Sequence, residues 1–434
     1  MCGASPDGRL HVLVYGSLDA GVADFLRVGC LVEPLGRQGV EVRSWQSFGD
    51  DVLAGGAPAE ASAEAPAEAP GPPRDALVDL GLTALAWAHV VVFRRWRSTH
   101  AVCTECETPF PSPAPLEAHA RATGHRTLMP DLLVRPVVAL LDAHPELLGD
   151  RAVLYDADDD VLDYPTWTGL GFAAQRERDL VLRIMGLADV VSAATPVLAE
   201  RLAPHTRGQV VVIANALDPA WYASSGPADL PGDPRVLYHG VPVRLRDYEV
   251  ARSAVNEVAA SRPALRRVWL GASHEPAVVA CMDEVRPWVD GVPAFAAALS
   301  AARPDVGLAP LLDESFNRAK SELHWLEYSL AGAATIATAF DGPGPFDAIR
   351  DGVDGLLART PSDWRRHLAA LAASRDLRTT LAGRARERVL DDYSLARRVG
   401  EWAAIYRFAA AHPGLGRLPA ARLNVSRSTA SPLK

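Results

Sequence analysis

The sequence predicts an α/β protein in which two doubly wound domains face a central cleft, with a small Cys/His-rich insertion in the first domain. Short apolar runs alternate with helix-type apolar spacing from residue 11 to residue 215. A segment rich in Pro, Gly and Ser (215–234) interrupts this pattern, and a second β/α series follows it. Alternating strands and helices form parallel sheets covered by helices, so each series predicts one domain.

The composition is typical of a large globular enzyme. With 434 residues, 49% of them hydrophobic and 22% charged, the chain can fill the cores of two domains. A formal net charge of −9 argues against a protein whose main task is to neutralise nucleic-acid phosphates or anionic lipids. No apolar run approaches the roughly 18 residues that span a bilayer, and the first ten residues lack a signal-peptide layout. We therefore expect a cytoplasmic protein without a membrane span or disulfides, and the sequence leaves its oligomeric state open.

The first series opens with a strand, a helix and a strand. HVLVYG (11–16) is a short apolar run, and a helical pattern separates it from VEVRSW (40–45). Residues 54–74 contain almost only Ala, Pro, Glu and Gly, which predicts a flexible loop because such a segment buries little apolar surface. A helix is then expected near 75–87, before the strand HVVVF (89–93). The later runs AVLYDAD, DVVSAA and QVVVIAN complete the sheet.

These patterns set the predicted domain limits. The N-terminal domain covers 1–215, and the second domain covers 216–395, with strands expected in RVLYHG, RRVWLG, VGLAPL, TIATAF and GLLAR. A C-terminal helix over 396–412 can pack back on the N-terminal domain, and residues 413–434 form a flexible tail. Ligands of doubly wound sheets bind beyond the carboxyl ends of the strands, so we expect the site in the cleft between the domains.

The most informative segment of the second domain is PLLDESFNRAKSELHWLEYSLAGAATIAT (310–338). A helix is expected to end at Gly332, because glycine readily adopts the left-handed conformation that closes helices. Lys320 and Glu327 would share one face of this helix, about 10 Å apart along its axis. That separation suits a nucleotide diphosphate, with phosphate near the amides of 316–321 and the ribose hydroxyls at the Glu327 carboxylate. The alternative is that both side chains only solvate a surface helix.

This segment, together with VLYDADDDVLDYP, ADVVSAATPVLAERL and VVVIANALD, resembles the retaining nucleotide-sugar glycosyltransferases of the GT-B fold, particularly the family 4 type. The resemblance covers roughly residues 150–220 and 235–360. It implies two Rossmann-like domains, of which the N-terminal one binds the acceptor and the C-terminal one binds a nucleotide-diphosphate sugar. It also implies transfer with retention of configuration and no catalytic metal.

The resemblance implies roles for several residues of the motif. Glu327 would bind the ribose, and Lys320 and Ser321 would contact the donor phosphates, with Asn317 as a further donor contact. Position 319 is alanine, where many relatives carry a second glutamate. This departure leaves open how the sugar ring is held and whether the configuration is retained.

A second group of implied donor contacts lies in YHGVPVRLRDY (238–248). Gly240 matches the glycine turn after the first strand of the donor domain, where backbone amides approach the diphosphate. Arg244 is the nearby basic residue, and we expect it to stabilise the charge of the leaving diphosphate together with Lys320. Gly16, after the first strand of the chain, is a weaker candidate for opening a loop toward the ligand.

The acidic run YDADDD (155–160) follows a strand of the N-terminal domain. Carboxylates so close repel one another, and we expect a raised pKa for at least one, which suits proton handling or hydroxyl binding. Asp158 and Asp159 are the catalytic candidates. Alternatively, these residues cap the next helix and solvate a loop.

The insertion (101–126) carries two cysteines two residues apart and two histidines further on: Cys103, Cys106, His119 and His125. This spacing resembles a Cys/Cys/His/His zinc finger, in which two thiolates and two imidazoles hold a structural Zn²⁺. The alternative is a chance spacing of reduced thiols. The insertion is expected at the cleft end of a strand, where it would serve as a lid over the acceptor or as a structural staple.

Sequence-specific DNA readout is not expected from this segment. In the zinc-finger register the base-contacting positions are Ser112, Pro115 and Ala118, none of which suits bidentate base recognition. FRRWR (93–97) is a local basic and aromatic patch that could touch an anionic acceptor. The remaining histidines show no metal-ligand spacing, and only His239, next to Gly240, stands beside a predicted donor contact.

Two other functions stay open. One is a non-catalytic zinc-finger adaptor that uses the two domains as a platform for partners. The other is a glycosyltransferase whose acceptor is a nucleic acid or a nucleoside-type molecule. Donor nucleotide, sugar and acceptor are not specified by the sequence, and the acceptor could be a saccharide, a natural product, a peptide or a nucleic acid.

Overall fold

The computed structural model describes most of both predicted domains. The described residues are 8–15, 22–44, 47–48, 74–94, 101–103, 109–110, 119, 121–123, 127–128, 131–165, 171–222, 234–240, 245–271 and 280–417. The predicted loop at 54–74 lies outside them up to residue 73, and the predicted tail lies outside them beyond residue 417.

The strands run in chain order as β1 (Leu10–Tyr15), β2 (Val40–Ser44), β3 (Val90–Arg94), β4 (Ala101–Cys103), β5 (Pro109–Phe110), β6 (Thr127–Leu128), β7 (Ala152–Ala157), β8 (Val190–Ala193), β9 (Gln209–Val212), β10 (Arg235–His239), β11 (Arg266–Leu270), β12 (Glu284–Arg286), β13 (Val306–Ala309), β14 (Ala334–Thr338) and β15 (Leu356–Ala358). They form two six-stranded sheets, with the orders β2-β1-β3-β7-β8-β9 and β12-β11-β10-β13-β14-β15, and one three-stranded sheet, β5-β4-β6. All strand pairings within the two large sheets, among the described residues, are parallel, so the predicted doubly wound α/β class is confirmed.

The helices are α1 (Val22–Arg27), α2 (Val32–Gly36), α3 (Arg74–Trp87), α4 (Asp131–Ala143), α5 (Gly171–Leu187), α6 (Pro196–Leu202), α7 (Leu245–Ser261), α8 (Val292–Ala302), α9 (Ser315–Arg318), α10 (Leu323–Leu330), α11 (Pro361–Ala373), α12 (Arg375–Asp392) and α13 (Leu395–Ala411). Among the described helices, none combines the length and the apolar character that crossing a membrane requires.

The central strands are buried on both faces. β3, β7 and β14 are buried at every position, and their Val, Ile and Ala side chains suit a parallel sheet that helices cover on both sides. Gly332 closes α10 with a φ of 85°, which confirms the predicted left-handed helix end. Because both faces of these strands are buried, polar side chains can cluster only at the strand ends.

The last helix joins the two domains. After the second domain, α13 returns to the first sheet, where Trp402 and Tyr406 pack in one cluster with Val12, Val14 and Leu154. Trp402 is 2% exposed and Tyr406 is fully buried. Burying an aromatic side chain of this kind stabilises a fold by about 1.5–3 kcal/mol. Because α13 returns to the first sheet, the chain crosses between the domains twice and is anchored in both.

Candidate functional site

Three strand ends of the first sheet contact one short loop of the second domain. Asp159, Thr195 and Asn215 follow β7, β8 and β9, which are neighbours in the sheet. Their partners are the consecutive residues 319–321, between α9 and α10. The carboxyl ends of parallel strands lie at one edge of a sheet, which is where doubly wound folds bind ligands. This loop therefore marks the side on which the two domains face each other.

The central contact is an ion pair between the predicted donor and acceptor sides. Lys320 Nζ lies 3.2 Å from Asp159 Oδ1, and the two side chains are only 7% and 13% exposed. The Lys320 ammonium also lies 4.1 Å from the centre of the Phe316 ring, within the range of a cation–π contact. The structure thus brings Lys320 and Asp159 together at one point.

Two hydrogen bonds flank this ion pair. Thr195 Oγ1 donates to the carbonyl oxygen of Ala319 at 2.9 Å, and Asn215 Nδ2 donates to Ser321 Oγ at 2.9 Å. Thr195 is also the N-cap of α6, since its Oγ1 accepts from the Leu198 amide at 3.2 Å. The loop is therefore held by side chains whose own positions are fixed by the first domain.

The prediction of one continuous helix carrying Lys320 and Glu327 on the same face is wrong. The chain forms two helices, α9 and α10, and Lys320 lies between them. The break coincides with the contacts from the first domain, because Ala319 gives its carbonyl oxygen to Thr195 and Ser321 bonds to Asn215. Tertiary contacts override the helical pattern here.

At the same edge of the first sheet, Asp156 is fully buried and paired. Arg27 Nε donates to its Oδ2 at 3.2 Å, Ser192 Oγ donates to its Oδ1 at 2.7 Å, and Arg94 Nε lies 3.5 Å from Oδ2. Burial alone would raise the pKa of Asp156, but the charges of Arg27 and Arg94 and the hydrogen bonds from Arg27 and Ser192 outweigh it and lower the pKa. The raised pKa expected for at least one carboxylate of the run 155–160 is therefore not that of Asp156.

Sequence reasoning missed this network because its cations come from distant elements. Arg27 ends α1, and Arg94, the last residue of β3, is 2% exposed. Arg94 therefore faces the protein interior, and not an acceptor as the FRRWR patch suggested; residues 95–97 lie outside the described residues. Asp158 lies 3.8 Å from Arg94 Nη2, at the rim of the network, and Asp160 caps the short turn that follows.

On the donor side, Glu327 lies beside His239. Glu327 Oε2 is 3.2 Å from His239 Nε2, and both side chains are nearly buried, at 6% and 4% exposed. Neither atom forms a hydrogen bond of acceptable geometry among the residues that the structure describes. The Glu327 charge also reaches Tyr222, whose pKa burial and this charge both raise. The carboxylate is thus buried at the cleft with hydrogen-bonding capacity left over.

Helix α10 holds Glu327 in place. Tyr328 Oη donates to the carbonyl oxygens of Leu237 (3.3 Å) and Leu308 (3.1 Å), on β10 and β13. Three residues earlier in the helix, Trp325 Nε1 donates to the carbonyl oxygen of Asp354 at 3.0 Å. These bonds fix both the rotation and the depth of the helix, so the direction of the Glu327 side chain is set by buried partners.

Two other predicted donor contacts, Asn317 and Gly240, make contacts within the second domain that hold its loops in place. Asn317 is 1% exposed, and its Nδ2 donates to Asp247 Oδ1 at 2.9 Å and to the Leu312 carbonyl at 3.1 Å. Asp247 Oδ1 also accepts from the Leu312 amide, so this pair braces the loop from within. Gly240 follows His239 at the end of β10. A Cβ added to Gly271 would lie 2.0 Å from the carbonyl oxygen of Gly240. Gly271 must therefore be glycine for the two strand ends to meet this closely.

His239, His324 and Glu327 could also hold a metal ion. One ligand atom from each side chain lies within 4.8 Å of the other two. The sequence shows no metal-ligand spacing for His239, because β10 and α10 are 84 residues apart in sequence and become adjacent only in the fold. The His-x-x-Glu spacing at 324–327, one helical turn, was the only local signal.

The predicted zinc segment is described in part. β4 pairs antiparallel with β5 and with β6, Cys103 is the last residue of β4, and His119 and residues 121–123 are helical. A cysteine position at the end of a hairpin strand, followed by a histidine in a helical stretch, is the chain order of a Cys/Cys/His/His site. Cys106 and His125 lie outside the described residues, as do Gly16 and Arg244.

Comparisons with known proteins agree with this architecture. Residues 253–404 match a family model described as glycosyl transferase-like. No curated protein matches the chain.

Solved structures match almost the whole chain. Sucrose-phosphate synthase from Thermosynechococcus elongatus is 16% identical with a TM-score of 0.57, and the match covers 93% of this chain and 99% of that one. HepE of Anabaena, in complex with UDP and glucose, is 12% identical with a TM-score of 0.56, over 92% of this chain and 100% of that one. A glycosyltransferase from Rickettsia africae is 13% identical with a TM-score of 0.54, over 92% and 98%.

The two parallel sheets and their arrangement are thus those of the GT-B fold. The region that matches the glycosyl transferase-like model contains β11 to β15 of the second sheet and ends within α13. The chain thus has the GT-B fold, and its region 253–404 resembles a glycosyl transferase-like domain.

Proposed function

We propose that this glycosyltransferase moves a sugar from a nucleoside-diphosphate sugar to a hydroxyl or similar nucleophile of an acceptor, with retention of configuration. The observation that carries the proposal is the Lys320–Asp159 ion pair, which puts the predicted phosphate-binding cation and a predicted acceptor-side carboxylate 3.2 Å apart. The HepE structures, whose ligands include UDP and UDP-glucose, support a nucleotide-sugar donor. The family 4 type remains part of the proposal.

Glu327 is the proposed ribose ligand. A buried carboxylate with an unused oxygen can accept hydrogen bonds from both hydroxyls of a ribose, and it gains more from them than an exposed one because the surroundings are less polar. The hydrogen bonds of Tyr328 and Trp325 hold α10 rigid, so little ordering cost is left for the binding step. Ser321 and Gly240 complete the proposed donor contacts beside it.

Lys320 is the proposed electrostatic catalyst. As the bond between sugar and diphosphate breaks, negative charge builds on the leaving phosphate, and a fixed ammonium stabilises this charge more than it stabilises the ground state. Lys320 is desolvated by its burial and by the Phe316 ring, which strengthens the interaction. Arg244, which belongs to the proposal from the motif alone, would share this task.

Binding of the diphosphate requires Lys320 to exchange partners. In the ion pair the ammonium compensates Asp159, and a diphosphate with more charge would draw it away. Asp159 would then orient or deprotonate an acceptor hydroxyl, with Asp158 beside it. Donor binding would in this way prepare the acceptor site.

The experiment is a nucleotide-binding series. Uridine, guanosine and thymidine diphosphates are compared for their effect on the melting temperature, since a ligand that binds only the folded state raises it according to its affinity. For the best of them, we expect Glu327→Gln to weaken binding at least tenfold and Lys320→Met to weaken it further. Glu387→Gln, an exposed glutamate on α12, is the matched control and should bind as the wild type does.

Two results would contradict the proposal. One is unchanged nucleotide affinity in both site variants with their folds intact. The other is the absence of transfer and of donor hydrolysis with every common nucleotide-sugar, which would favour the adaptor function.

For the insertion, we propose that Cys103, Cys106, His119 and His125 hold a structural Zn²⁺, which folds a lid over the acceptor side. The hairpin of β4 and β5 and the helical turn at 119 and 121–123 support this assignment. A segment this short needs the metal to supply its folding free energy. Cys103→Ser with Cys106→Ser should reduce transfer to acceptor more than hydrolysis of donor by water. Equal losses of both would support a staple instead.

A further inference from the structure

We propose that His239, His324 and Glu327 form a second metal site, for a divalent ion of the zinc class, at the point where the donor's ribose is expected. The three side chains come from two elements of the second domain. His239 ends β10, and His324 and Glu327 lie one turn apart on α10. Their candidate ligand atoms all lie within 4.8 Å of one another.

The ligand types select the ion. Two imidazoles and one carboxylate are the set that Zn²⁺, Co²⁺ and related first-row ions take in proteins, whereas Mg²⁺ and Ca²⁺ prefer oxygen ligands alone. Bonds of about 2.1 Å at a tetrahedral angle put two ligand atoms roughly 3.4 Å apart. The observed 3.2 Å between His239 Nε2 and Glu327 Oε2 is close to that distance. A small movement of His324 would complete the set.

The surroundings of the pair point the same way. His239 Nε2 and Glu327 Oε2 are both buried, and neither has a hydrogen-bond partner within the described part of the chain. Buried polar atoms without partners cost free energy, and a cation between them would satisfy both at once. A direct hydrogen bond between the two atoms would be the simpler explanation of their short distance, but the geometry of the contact does not satisfy the criteria for a hydrogen bond.

The site is stiff on its protein side. The His239 ring packs against Phe295 and Tyr328, with ring centres 5.1 and 5.0 Å away, and lies edge-on to His324 at 4.4 Å. Aromatic packing of this kind fixes ring orientation before an ion arrives, which favours binding.

Occupancy would have a consequence for donor binding, and this step rests on the proposed function. An ion bound to the Glu327 carboxylate withdraws the group that is proposed to accept the ribose hydroxyls. Metal and nucleoside diphosphate would therefore exclude each other, and the metal-bound enzyme would be a donor-free, inactive form. Each of two mutually exclusive ligands raises the apparent Kd of the other, by a factor that grows with the competitor's concentration relative to its own Kd.

Co²⁺ titration of the full-length protein tests the site, because Co²⁺ adopts zinc geometries and absorbs visible light when bound. We expect a saturable signal in Cys103→Ser/Cys106→Ser protein, where the thiol site is removed. His324→Ala in that background should weaken this Co²⁺ affinity at least tenfold, and His205→Ala, an exposed histidine of the first domain, should leave it unchanged. Saturating UDP should weaken Co²⁺ binding, and Zn²⁺ should weaken UDP binding.

The outcomes are separable. A signal that disappears with the two cysteines, or that is unaffected by His324→Ala, overturns the site. If the double serine variant does not fold, the wild type still decides, since thiolate ligands give Co²⁺ an additional intense charge-transfer absorption that imidazole and carboxylate ligands lack. Failure of UDP to bind at all contradicts the proposed function, whereas the Co²⁺ titration without nucleotide still decides the metal site.

Discussion

The carboxyl edges of the two sheets differ in how their buried charged groups are paired. At the edge of the first sheet, the carboxylate of Asp156 is surrounded by Arg27, Arg94 and Ser192, which together lower its pKa. At the edge of the second sheet, Glu327 and His239 touch without an acceptable hydrogen bond. In the first arrangement, two guanidinium groups and a hydroxyl compensate the buried carboxylate, and we interpret it as a structural brace. The second has binding capacity in reserve, which is what a ligand site needs.

The largest effect is expected where the brace is broken. Asp156→Asn keeps the shape of the side chain but removes the negative charge that lies between Arg27 and Arg94. We expect the free energy of unfolding to fall by about 3–5 kcal/mol, because removing one partner of a buried ion pair leaves an uncompensated charge. Urea denaturation measures this, with Ser192→Ala, which should cost about 1 kcal/mol, as the comparison. A loss in Asp156→Asn no greater than that in Ser192→Ala would refute the brace.

Near the second edge lies a buried carboxylate, Glu322, whose charged form is disfavoured by burial. Burial raises the pKa of Glu322 from 4.5 to about 7, against a backbone hydrogen bond and the charges of Arg398 and Arg388. Between these two values the folded protein holds a proton that the unfolded chain has lost, so stability falls as the pH rises through this window. Below about pH 4.5 the penalty is absent, and above about pH 7 it is complete, at roughly 3 kcal/mol.

Glu322→Gln should therefore remove most of this pH dependence. We expect the variant to exceed the wild type in unfolding free energy by up to about 3 kcal/mol at pH 8, and by much less at pH 5. Denaturant unfolding at both pH values measures it, with the exposed Glu387→Gln as the matched control. An equal difference between Glu322→Gln and wild type at the two pH values would speak against a buried, proton-binding Glu322.

Thr195 tests the link between the edges. Its hydroxyl accepts from the Leu198 amide and donates to the Ala319 carbonyl, so one side chain caps α6 and ties the loop at 319–321. Thr195→Ala should lower the unfolding free energy by about 1–2 kcal/mol, whereas Thr195→Ser, which keeps the hydroxyl, should lose much less. If Ser and Ala behave alike in urea denaturation, the lost methyl group and not the hydroxyl bonds is responsible.

The sequence predicts the parts of this molecule that repeat a local pattern. Apolar runs predict both parallel sheets, and Gly332 predicts the end of α10, because strand alternation and left-handed glycine are local properties. The resemblance in 310–338 predicts the glycosyltransferase class. The break between α9 and α10 could not be predicted, since Thr195 and Asn215 impose it from more than 100 residues away.

The same limit applies to the site. Lys320 and Glu327 are visible in the motif, but the pairing of Lys320 with Asp159 joins residues 161 positions apart, and that of His239 with Glu327 depends on how α10 packs on β10. Asp156 has no sequence feature that separates it from its acidic neighbours; only the arrival of Arg27 and Arg94 does so. Patterns within an element are readable, and contacts between elements are not.

The smallest expected effect tests whether the Asp159 carboxylate at the first edge competes with a bound diphosphate for the Lys320 ammonium. Asp159 compensates Lys320 at 3.2 Å, so a diphosphate must displace this carboxylate before it can use the ammonium. Asp159→Asn removes the competing charge and should tighten the binding of the best nucleoside diphosphate by about threefold to tenfold, or roughly 0.7–1.4 kcal/mol. Transfer to acceptor should fall in the same variant, because Asp159 is also the proposed partner of the acceptor hydroxyl. Calorimetric titration measures the affinity, with the exposed Asp163→Asn as the control for a lost negative charge nearby. Weaker nucleotide binding in Asp159→Asn would mean that the carboxylate positions Lys320 for the phosphate and does not compete with it, and the exchange of partners would have to be abandoned.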